Sequence, residues 1–271
     1  MRCHYLSDLH LESQEAPGLT QRGDVLLIAG DLCNAAALSP RRRDPYAVAQ
    51  RSRVLGFIDD ALSRFEHVLL VAGNHEHYEG VFEDTVPLLR EQLPGVVVLD
   101  DESVDLGGQR FFGSTLWSDF EGGTLESMTA ARRGVGDFLL VKRRVKDGGH
   151  ETGLEPFQPE HARAAFLSAL DALRSALETA GERNTIVVTH HAPSRKSLNP
   201  LFMGNGLDGA FASTLDGFIS QLQTVPFWVH GHTHVQRRYT IGQTTILANC
   251  LGLPGKGRAS GNFSTRKSFE I

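Results

Sequence analysis

Short apolar runs recur along the chain, and each ends in a small group of polar residues. The clearest runs are residues 25–29, 68–72, 186–188 and 227–229, and a weaker one is residues 3–6. A short apolar run that ends at glycine or a turn predicts a buried strand. In open α/β sheets, functional sites form just beyond the carboxyl ends of the strands. The pattern therefore predicts that polar side chains from distant parts of the chain meet in one crevice.

Three stretches have the spacing of apolar residues that is typical of amphipathic helices. They are residues 45–66, 79–93 and 159–180. The first has a clear start signal, because Asp44 can cap the helix and Pro45 suits its first position. The second is predicted to break near Pro87, and Gly181 is the predicted C-cap of the third.

Further strands are predicted in the middle of the chain and, after His234, at its C-terminal end. The first are residues 96–99 and 110–114; the later ones are residues 238–241 and 244–248, which flank a Gly-Gln turn and predict a hairpin, and residues 269–271. Alternating strands and helices followed by a β-rich end predict an α/β fold in which two sheets pack together.

The chain is expected to form a single domain, residues 1–271. Residues 117–158 have weak periodicity, and a long irregular segment inside a compact domain is usually functional or mobile. We expect this segment to form a cap or rim over the site, with a plain solvent-exposed insertion as the alternative. Residues 193–213 follow His190 and should border the same crevice.

Seven polar side chains at the ends of the apolar runs are candidate metal ligands. They are Asp8, His10, Asp31, Asn74, His190, His232 and His234. All are nitrogen or oxygen donors, which suit Mn, Fe, Zn, Co or Ni, whereas thiolate sites form a different class. Seven ligands exceed the needs of one four-coordinate ion, but two ions that share a carboxylate would use them all. Two such ions can clamp the attacking and leaving oxygens of a phosphoryl transfer.

The candidate ligands lie in five short sequence blocks, which are Asp8-x-His10, Gly30-Asp31, Gly73-Asn74-His75-Glu76, His190 and Gly231-His232-x-His234, in this order. Taken together, these blocks resemble the motifs of the calcineurin-like metallophosphoesterase superfamily. The resemblance implies an α/β/β/α sandwich of two mixed sheets flanked by helices. It implies that one divalent or transition metal ion is bound by Asp8, His10 and His234, a second by Asn74, His190 and His232, and that Asp31 bridges both. His75 is implied as a proton donor or phosphate contact and not as a ligand.

Several further residues are candidates with open alternatives. His191 is the alternative to His190 as the ligand of the fourth block, and is otherwise a contact to a ligand or to substrate. His230 is a weaker candidate for a metal ligand, because the Gly-His-x-His pattern of residues 231–234 favours His232 and His234. Glu76 is expected to orient a ligand or its loop. Four basic residues could contact a phosphate or another substrate anion, and they are Arg132, Arg133, Arg195 and Lys196. The alternative is plain surface charge.

The expected activity is hydrolysis of a small phosphodiester or phosphomonoester. Two divalent ions would lower the pKa of a shared water, so that the bridging hydroxide attacks phosphorus in line. His75, as the imidazolium, would protonate the leaving oxygen. The alternatives are a nuclease that acts on DNA or RNA with the same dinuclear site and a non-catalytic scaffold of the same fold. Dinuclear enzymes that hydrolyse amides or ureas use similar ligands, so the preference for phosphoesters rests on the resemblance.

Charge and cysteine content narrow the class of protein. The formal net charge is -5, which disfavours a dedicated nucleic-acid binder because such proteins usually have a basic face. An odd count of three cysteines predicts no disulfide framework and fits a cytoplasmic location. The first block begins too close to Met1 to leave room for a signal peptide. No apolar stretch reaches the roughly 18 residues of a membrane helix, so no membrane partner is expected. The expected partner, from the activity given above, is a small-molecule phosphoester.

Overall fold

The short apolar runs form the central strands of two mixed sheets. The computed structural model describes residues 1–201, 203–253, 258–259 and 261–271. Numbered in chain order, the strands are β1 (Arg2–Leu6), β2 (Gly23–Ala29), β3 (Phe65–Val71), β4 (Val96–Leu99), β5 (Glu102–Leu106), β6 (Gln109–Ser114), β7 (Lys142–Asp147), β8 (His150–Pro156), β9 (Thr185–Thr189), β10 (Phe227–His230), β11 (Arg237–Ile241), β12 (Thr244–Ala248), β13 (Gly252–Leu253), β14 (Arg258–Ala259) and β15 (Ser268–Glu270).

Parallel strands occupy the centre of both sheets. The first sheet has the order β15-β1-β2-β3-β4, in which β1 to β4 run parallel and β15 is antiparallel. The second has the order β11-β12-β10-β9-β6-β5, with antiparallel edge strands around four parallel ones. Within each sheet, the loops after the parallel strands therefore emerge at one edge.

Helices connect the strands and cover the sheets. They are α1 (Pro45–Arg64), α2 (Phe82–Gln92), α3 (Phe120–Gly123), α4 (Leu125–Gly134), α5 (Asp137–Leu140), α6 (Pro159–Ala180), α7 (Asp208–Phe211) and α8 (Asp216–Ile219), and 3-10 turns lie at Ala35–Leu38, His75–His77 and Arg195–Ser197. Within the described ranges, every helix is too short or too polar to span a bilayer.

The two sheets pack face to face, and helices cover their outer faces. Leu27 and Leu69 of the first sheet share one buried cluster with Phe111, Ile186 and Val229 of the second. On the outer faces, α1 and α2 pack on the first sheet and α6 packs on the second. This layering confirms the expected α/β/β/α sandwich. Strands that are buried on both faces need apolar residues at every position, which explains the unbroken runs.

The predicted helices form, with one error at Pro87. Asp44 caps α1 by accepting a hydrogen bond from the Ala47 N–H, as the sequence predicts. The expected break near Pro87 is wrong, because α2 continues through this residue. Proline removes one helical hydrogen bond, but Pro87 lies on the exposed side of the helix, where water can satisfy the freed carbonyl. Val86 and Leu89 stay buried and hold the helix against the sheet.

Residues 117–158 contain regular elements that the weak periodicity did not predict. They form the helices α4 and α5, the hairpin of β7 and β8, and the short element α3, whose four residues have the positive φ angles of a left-handed turn. Both α3 and α5 have only four residues each. A helix of about one turn is shorter than the window of 11–18 residues over which periodicity is measurable. The role of this segment as a cap over the site stays a prediction.

Candidate metal centre

The seven candidate ligands lie in loops that leave the carboxyl ends of five parallel strands. Asp8 and His10 follow β1, Asp31 follows β2, Asn74 follows β3, His190 follows β9, and His232 and His234 follow β10. Three of these strands belong to the first sheet and two to the second. The structure brings the ligand loops of both sheets together at one edge of the sandwich, where sites in α/β proteins form.

The backbone of five of the seven candidate ligands lies in the left-handed region. The φ angle is 56° at Asp8, 48° at His10, 53° at Asp31, 66° at His232 and 52° at His234. Such conformations cost non-glycine residues on the order of 1–3 kcal/mol each, and they cluster at functional sites. The strain on these loops indicates a site independently of the side-chain chemistry.

One group of donors contains Asp8, His10, Asp31 and His234. One ligand atom of each lies within 4.8 Å of the others. His10 Nε2 is 3.0 Å from His234 Nε2 and 3.8 Å from Asp31 Oδ2, and His234 Nε2 is 3.2 Å from Asp8 Oδ1. Burial alone would raise the pKa of Asp8, but His234 outweighs it and lowers this pKa to about 2. The group therefore offers ionised carboxylates and imidazoles around one point.

A second group contains Asp31, Asn74, His190 and His232. Asn74 Oδ1 lies 3.0 Å from both His190 Nε2 and His232 Nδ1, and Asp31 Oδ1 lies 3.3 Å from His190 Nε2. The amide nitrogen of Asn74 donates to Asp137 Oδ1 at 2.9 Å. That bond turns the amide oxygen toward the two histidines. Asp31 is common to both groups, with one carboxylate oxygen near each.

The donor set fits bound cations. His190 Nδ1 donates to the Ala29 carbonyl at 2.8 Å, so the neutral ring carries its lone pair on Nε2. This lone pair faces Asn74 Oδ1 and Asp31 Oδ1, which are also electron-rich, and such atoms need a proton or a cation between them. Burial lowers the pKa of His190, but the charge of Asp31 outweighs it and raises this pKa to about 10. The negative field that attracts a proton here also attracts a metal cation.

Two motif glycines let the ligand loops approach each other. A Cβ on Gly73 would lie 2.6 Å from Asp31 N and 2.8 Å from His190 Cε1. A Cβ on Gly30 would lie 2.7 Å from His190 Cγ, and the φ of Gly30 is 83°. Real side chains cannot occupy such positions without moving the loops.

Glu76 ties these loops together, which confirms its expected orienting role. Its buried carboxylate accepts hydrogen bonds from the backbone N–H groups of Asp31, Leu32, Cys33 and Gly73 at 2.5–3.0 Å. Four donors on one carboxylate fix the relative position of the loops that follow β2 and β3.

His75 lies beside both donor groups and is held by a carboxylate. Its Nδ1 is 2.9 Å from Glu12 Oε1, its ring stacks on Tyr78 with centroids 4.3 Å apart, and its backbone N–H donates to Asp31 Oδ1. Burial alone would lower the pKa of His75, but Asp31 and Glu12 outweigh it and raise this pKa to about 9. Cations bound to Asp31 would offset that carboxylate, and Glu12 would then be the group that favours the imidazolium.

Glu12 was not identified from the sequence. Its Oε1 is 2.9 Å from His10 Nδ1 and 2.9 Å from His75 Nδ1, so one oxygen orients both rings. The available signal was its position two residues after His10, in a loop that already carried two candidate ligands. Asp137, which orients Asn74, lies 63 positions away from it in a segment without a motif.

Glu12→Gln is expected to weaken metal binding by about 10- to 100-fold, the usual effect of altering a partner of a metal-ligating histidine. The neutral amide oxygen is a poorer acceptor for His10 Nδ1 than the carboxylate is. Isothermal titration of the metal-free protein with Mn²⁺ measures the change. Glu15→Gln, at an exposed neighbouring carboxylate, is the control. Equal Mn²⁺ affinities in the two variants would contradict the role of Glu12.

Most of the candidate substrate contacts are paired with other residues of the protein. His191 is buried with its ring against that of His232, the centroids 4.1 Å apart, and its Nδ1 faces the Thr115 carbonyl. Arg132 pairs with Glu160 and Gln158 on the surface, and Arg195 pairs with Glu121 and Asp208. Lys196 pairs with Asp216, Arg133 is exposed, and His230 is hydrogen-bonded to Ser197. A role of His191, Arg132 or Arg195 in substrate binding stays a prediction.

A cavity of about 330 Å³ opens onto the two donor groups. Among the described residues, its lining comes from the ligand loops, from residues 134–137, from the segment that follows β9 and from β13. The lining residues are Asp31, Asn74, His75, Tyr78, Gly134, Val135, Gly136, Asp137, Leu198, Asn199, Met203, Asn205, Leu207, Asp208, Phe211, His232, Thr233, His234 and Leu253. Part of the 117–158 segment thus borders the site.

Comparisons with known proteins identify the family and the fold. A family model described as calcineurin-like phosphoesterase matches residues 1–236. An uncharacterised protein of Acanthamoeba polyphaga mimivirus, L509, is 21% identical over 203 residues, and the match covers 69% of each protein. The crystal structure of a phosphopantetheinyl hydrolase, PptH, from Mycobacterium tuberculosis has a TM-score of 0.61 and 19% identity, and the match covers 93% of this chain and 89% of that one. The likeness to that structure establishes a shared fold.

Proposed function

The chain belongs to the calcineurin-like phosphoesterase family and is a metallophosphoesterase, and we propose that it hydrolyses a small phosphodiester or phosphomonoester at a dinuclear metal centre. Asp8, His10 and His234 would hold one ion, Asn74, His190 and His232 the other, and Asp31 both. The observation that carries the proposal is that Asp31 belongs to two separate donor groups. Its Oδ1 and Oδ2 face different histidines, His190 and His10 respectively.

Two divalent ions bound here would polarise the phosphate oxygens and activate water for in-line attack. The residues of the chain itself would then orient the substrate and protonate its leaving oxygen. Asn74 and the ligand histidines would hold the ions at which the phosphate binds, and His75 lines the same cavity. Glu12 keeps the proton of His75 on Nδ1 and fixes the ring, so Nε2 is the atom that would deliver a proton to the leaving oxygen.

His75→Ala is expected to keep both metal ions and to lower turnover in a way that depends on the leaving group. General acid catalysis contributes about 10²–10⁴-fold. An alkoxide needs the proton, whereas p-nitrophenolate leaves readily without it. Steady-state rates on an alkyl phosphoester should therefore fall far more than rates on the p-nitrophenyl ester.

The control for this variant is His150→Ala, at an exposed histidine of β8, which should change neither rate. The assigned role fails if His75→Ala loses a metal ion. It also fails if both substrate classes decline by the same factor while the chemical step limits the rate.

The size of the cavity supports a small substrate. About 330 Å³ is near the lower end of the roughly 300–1,000 Å³ range of small-molecule sites. The net charge of -5 gives no general attraction for a polynucleotide. A nuclease with the same dinuclear site is the alternative. The cytoplasmic location stays a prediction.

A substrate panel on protein reconstituted with Mn²⁺ tests the proposal. It contains bis-p-nitrophenyl phosphate, p-nitrophenyl phosphate, cyclic nucleotides, dinucleotide polyphosphates, a phosphopantetheinyl ester and single-stranded DNA. We expect chelator-sensitive hydrolysis of small esters and little cleavage of DNA. Preferential cleavage of DNA would favour the nuclease. No hydrolysis of any ester by protein that holds two ions would favour a non-catalytic scaffold.

A further inference from the structure

Beside the metal ligands, the cavity has an apolar wall. Val135, Leu198, Leu207, Phe211 and Leu253 line it, and we call these five residues the apolar wall. They come from three separate parts of the chain, so the clustering is a property of the fold and not of one apolar run. Transfer of apolar ligand surface from water onto such a wall is favourable in proportion to the area covered.

The apolar wall directly adjoins the site. The ring of Phe211 stacks on that of His232, with centroids 4.9 Å apart and an angle of 25° between the planes. Leu207 packs against Gly134, since a Cβ on that glycine would lie 2.9 Å from Leu207 Cδ2. A ligand whose phosphate lies at the donor groups would therefore have its attached organic group beside these side chains.

Further apolar side chains on the same chain segments are exposed. Met203, which also lines the cavity, is 48% exposed, and outside the lining Leu139 and Leu201 are 80% and 86% exposed. These side chains are accessible to a ligand that extends out of the cavity.

The carboxylates in the lining do not select a charged group. Asp137 accepts hydrogen bonds from the Tyr78 hydroxyl at 2.6 Å and from the Asn74 amide. Asp208 pairs with Arg195 at 2.8 Å and accepts from the Gly204 N–H. Both carboxylates are thus already partnered within the protein. They would still repel an anionic group, and they offer a cationic one little that is not already used.

We propose that the organic group esterified to the phosphate is an uncharged, mainly apolar chain that lies against the apolar wall. This inference rests on the proposed function and names the class of substrate for the same site. The cavity volume of about 330 Å³ suits a small group, because it is near the lower end of the roughly 300–1,000 Å³ range of ligand pockets. Each methylene that is buried should improve binding by about fourfold.

A homologous series of esters tests this inference. The substrates are p-nitrophenyl phosphodiesters with methyl, propyl or pentyl groups, and pentyl groups that end in a carboxylate or an ammonium. With Mn²⁺-loaded protein, kcat/KM should rise by about fourfold per methylene and should fall for both charged ends. A rate that is independent of chain length, or highest for a charged end, would overturn the inference.

Binding without turnover separates this inference from the proposed function. Alkylphosphonates of the same lengths are titrated calorimetrically into the Mn²⁺-loaded protein, and the heat-capacity change should become more negative with chain length. Leu207→Ala should flatten this dependence, whereas Leu125→Ala, at an exposed leucine of α4, should not. If no ester is hydrolysed, the proposed function fails, and the phosphonate series still decides the inference. A flat series in the unmodified protein overturns it.

Discussion

Asp31→Asn is expected to release at least one of the two metal ions and to lower turnover by roughly 10³-fold. The carboxylate lies in both donor groups, with Oδ1 3.3 Å from His190 Nε2 and Oδ2 3.8 Å from His10 Nε2. A neutral amide cannot compensate the charge of two cations or offer an acceptor on both sides. A bound metal supplies several kcal/mol of transition-state stabilisation, and each 1.36 kcal/mol is tenfold in rate. Metal analysis after gel filtration and steady-state kinetics measure both effects.

The matched control is Asp59→Asn, at an exposed carboxylate of α1, which should keep both ions and full turnover. Asp31→Asn should remain folded in circular dichroism, because Asp31 contributes to the site and not to the apolar clusters. Two tightly held ions and near-normal turnover in Asp31→Asn would contradict its assignment as the bridge.

Gly73→Ala is expected to be nearly as damaging, although it alters no donor atom. The added methyl group would lie 2.6 Å from Asp31 N and 2.8 Å from His190 Cε1, so the loops after β2, β3 and β9 must separate. Overpacking of this kind costs about 1–3 kcal/mol of stability. A misplacement of about 1 Å at a site costs on the order of 10²-fold in rate. Thermal unfolding and kcat/KM measure the two losses.

Gly56→Ala is the control for the glycine substitution. Gly56 lies inside α1, and a Cβ there would meet nothing within 4 Å. Alanine in a helix interior should stabilise the protein by about 0.5–1 kcal/mol and leave activity unchanged. If Gly73→Ala behaved in the same way as Gly56→Ala, the close approach of the ligand loops would have no functional importance.

The sequence predicts that the candidate ligands lie close together, because the sheets fix their positions. Central strands that are buried on both faces must be continuous apolar runs, so their ends are visible as abrupt changes to polar residues. Parallel pairing of β1 with β2 and of β2 with β3 then brings Asp8, Asp31 and Asn74 to one edge. The same reasoning applies to His190 and His232, which follow the parallel strands β9 and β10.

The residues that orient the ligands are harder to predict. Asp137 reaches Asn74 from a helix of only four residues, and no local pattern marks a tertiary contact of this kind. The basic candidates Arg132 and Arg195 show a related limit. Their charges were visible in the sequence, but the acidic residues that pair with them, Glu160 and Asp208, are brought near only by folding.

The most direct test of the dinuclear centre is titration of metal-free protein with Mn²⁺, followed by electron paramagnetic resonance. Asp31 belongs to both donor groups, so two ions should bind close enough together to couple their spins. We expect an exchange-coupled signal that saturates at two equivalents and that Asp31→Asn abolishes. Saturation at one equivalent with only the six-line signal of isolated Mn²⁺ would contradict the shared carboxylate and the mechanism built on it.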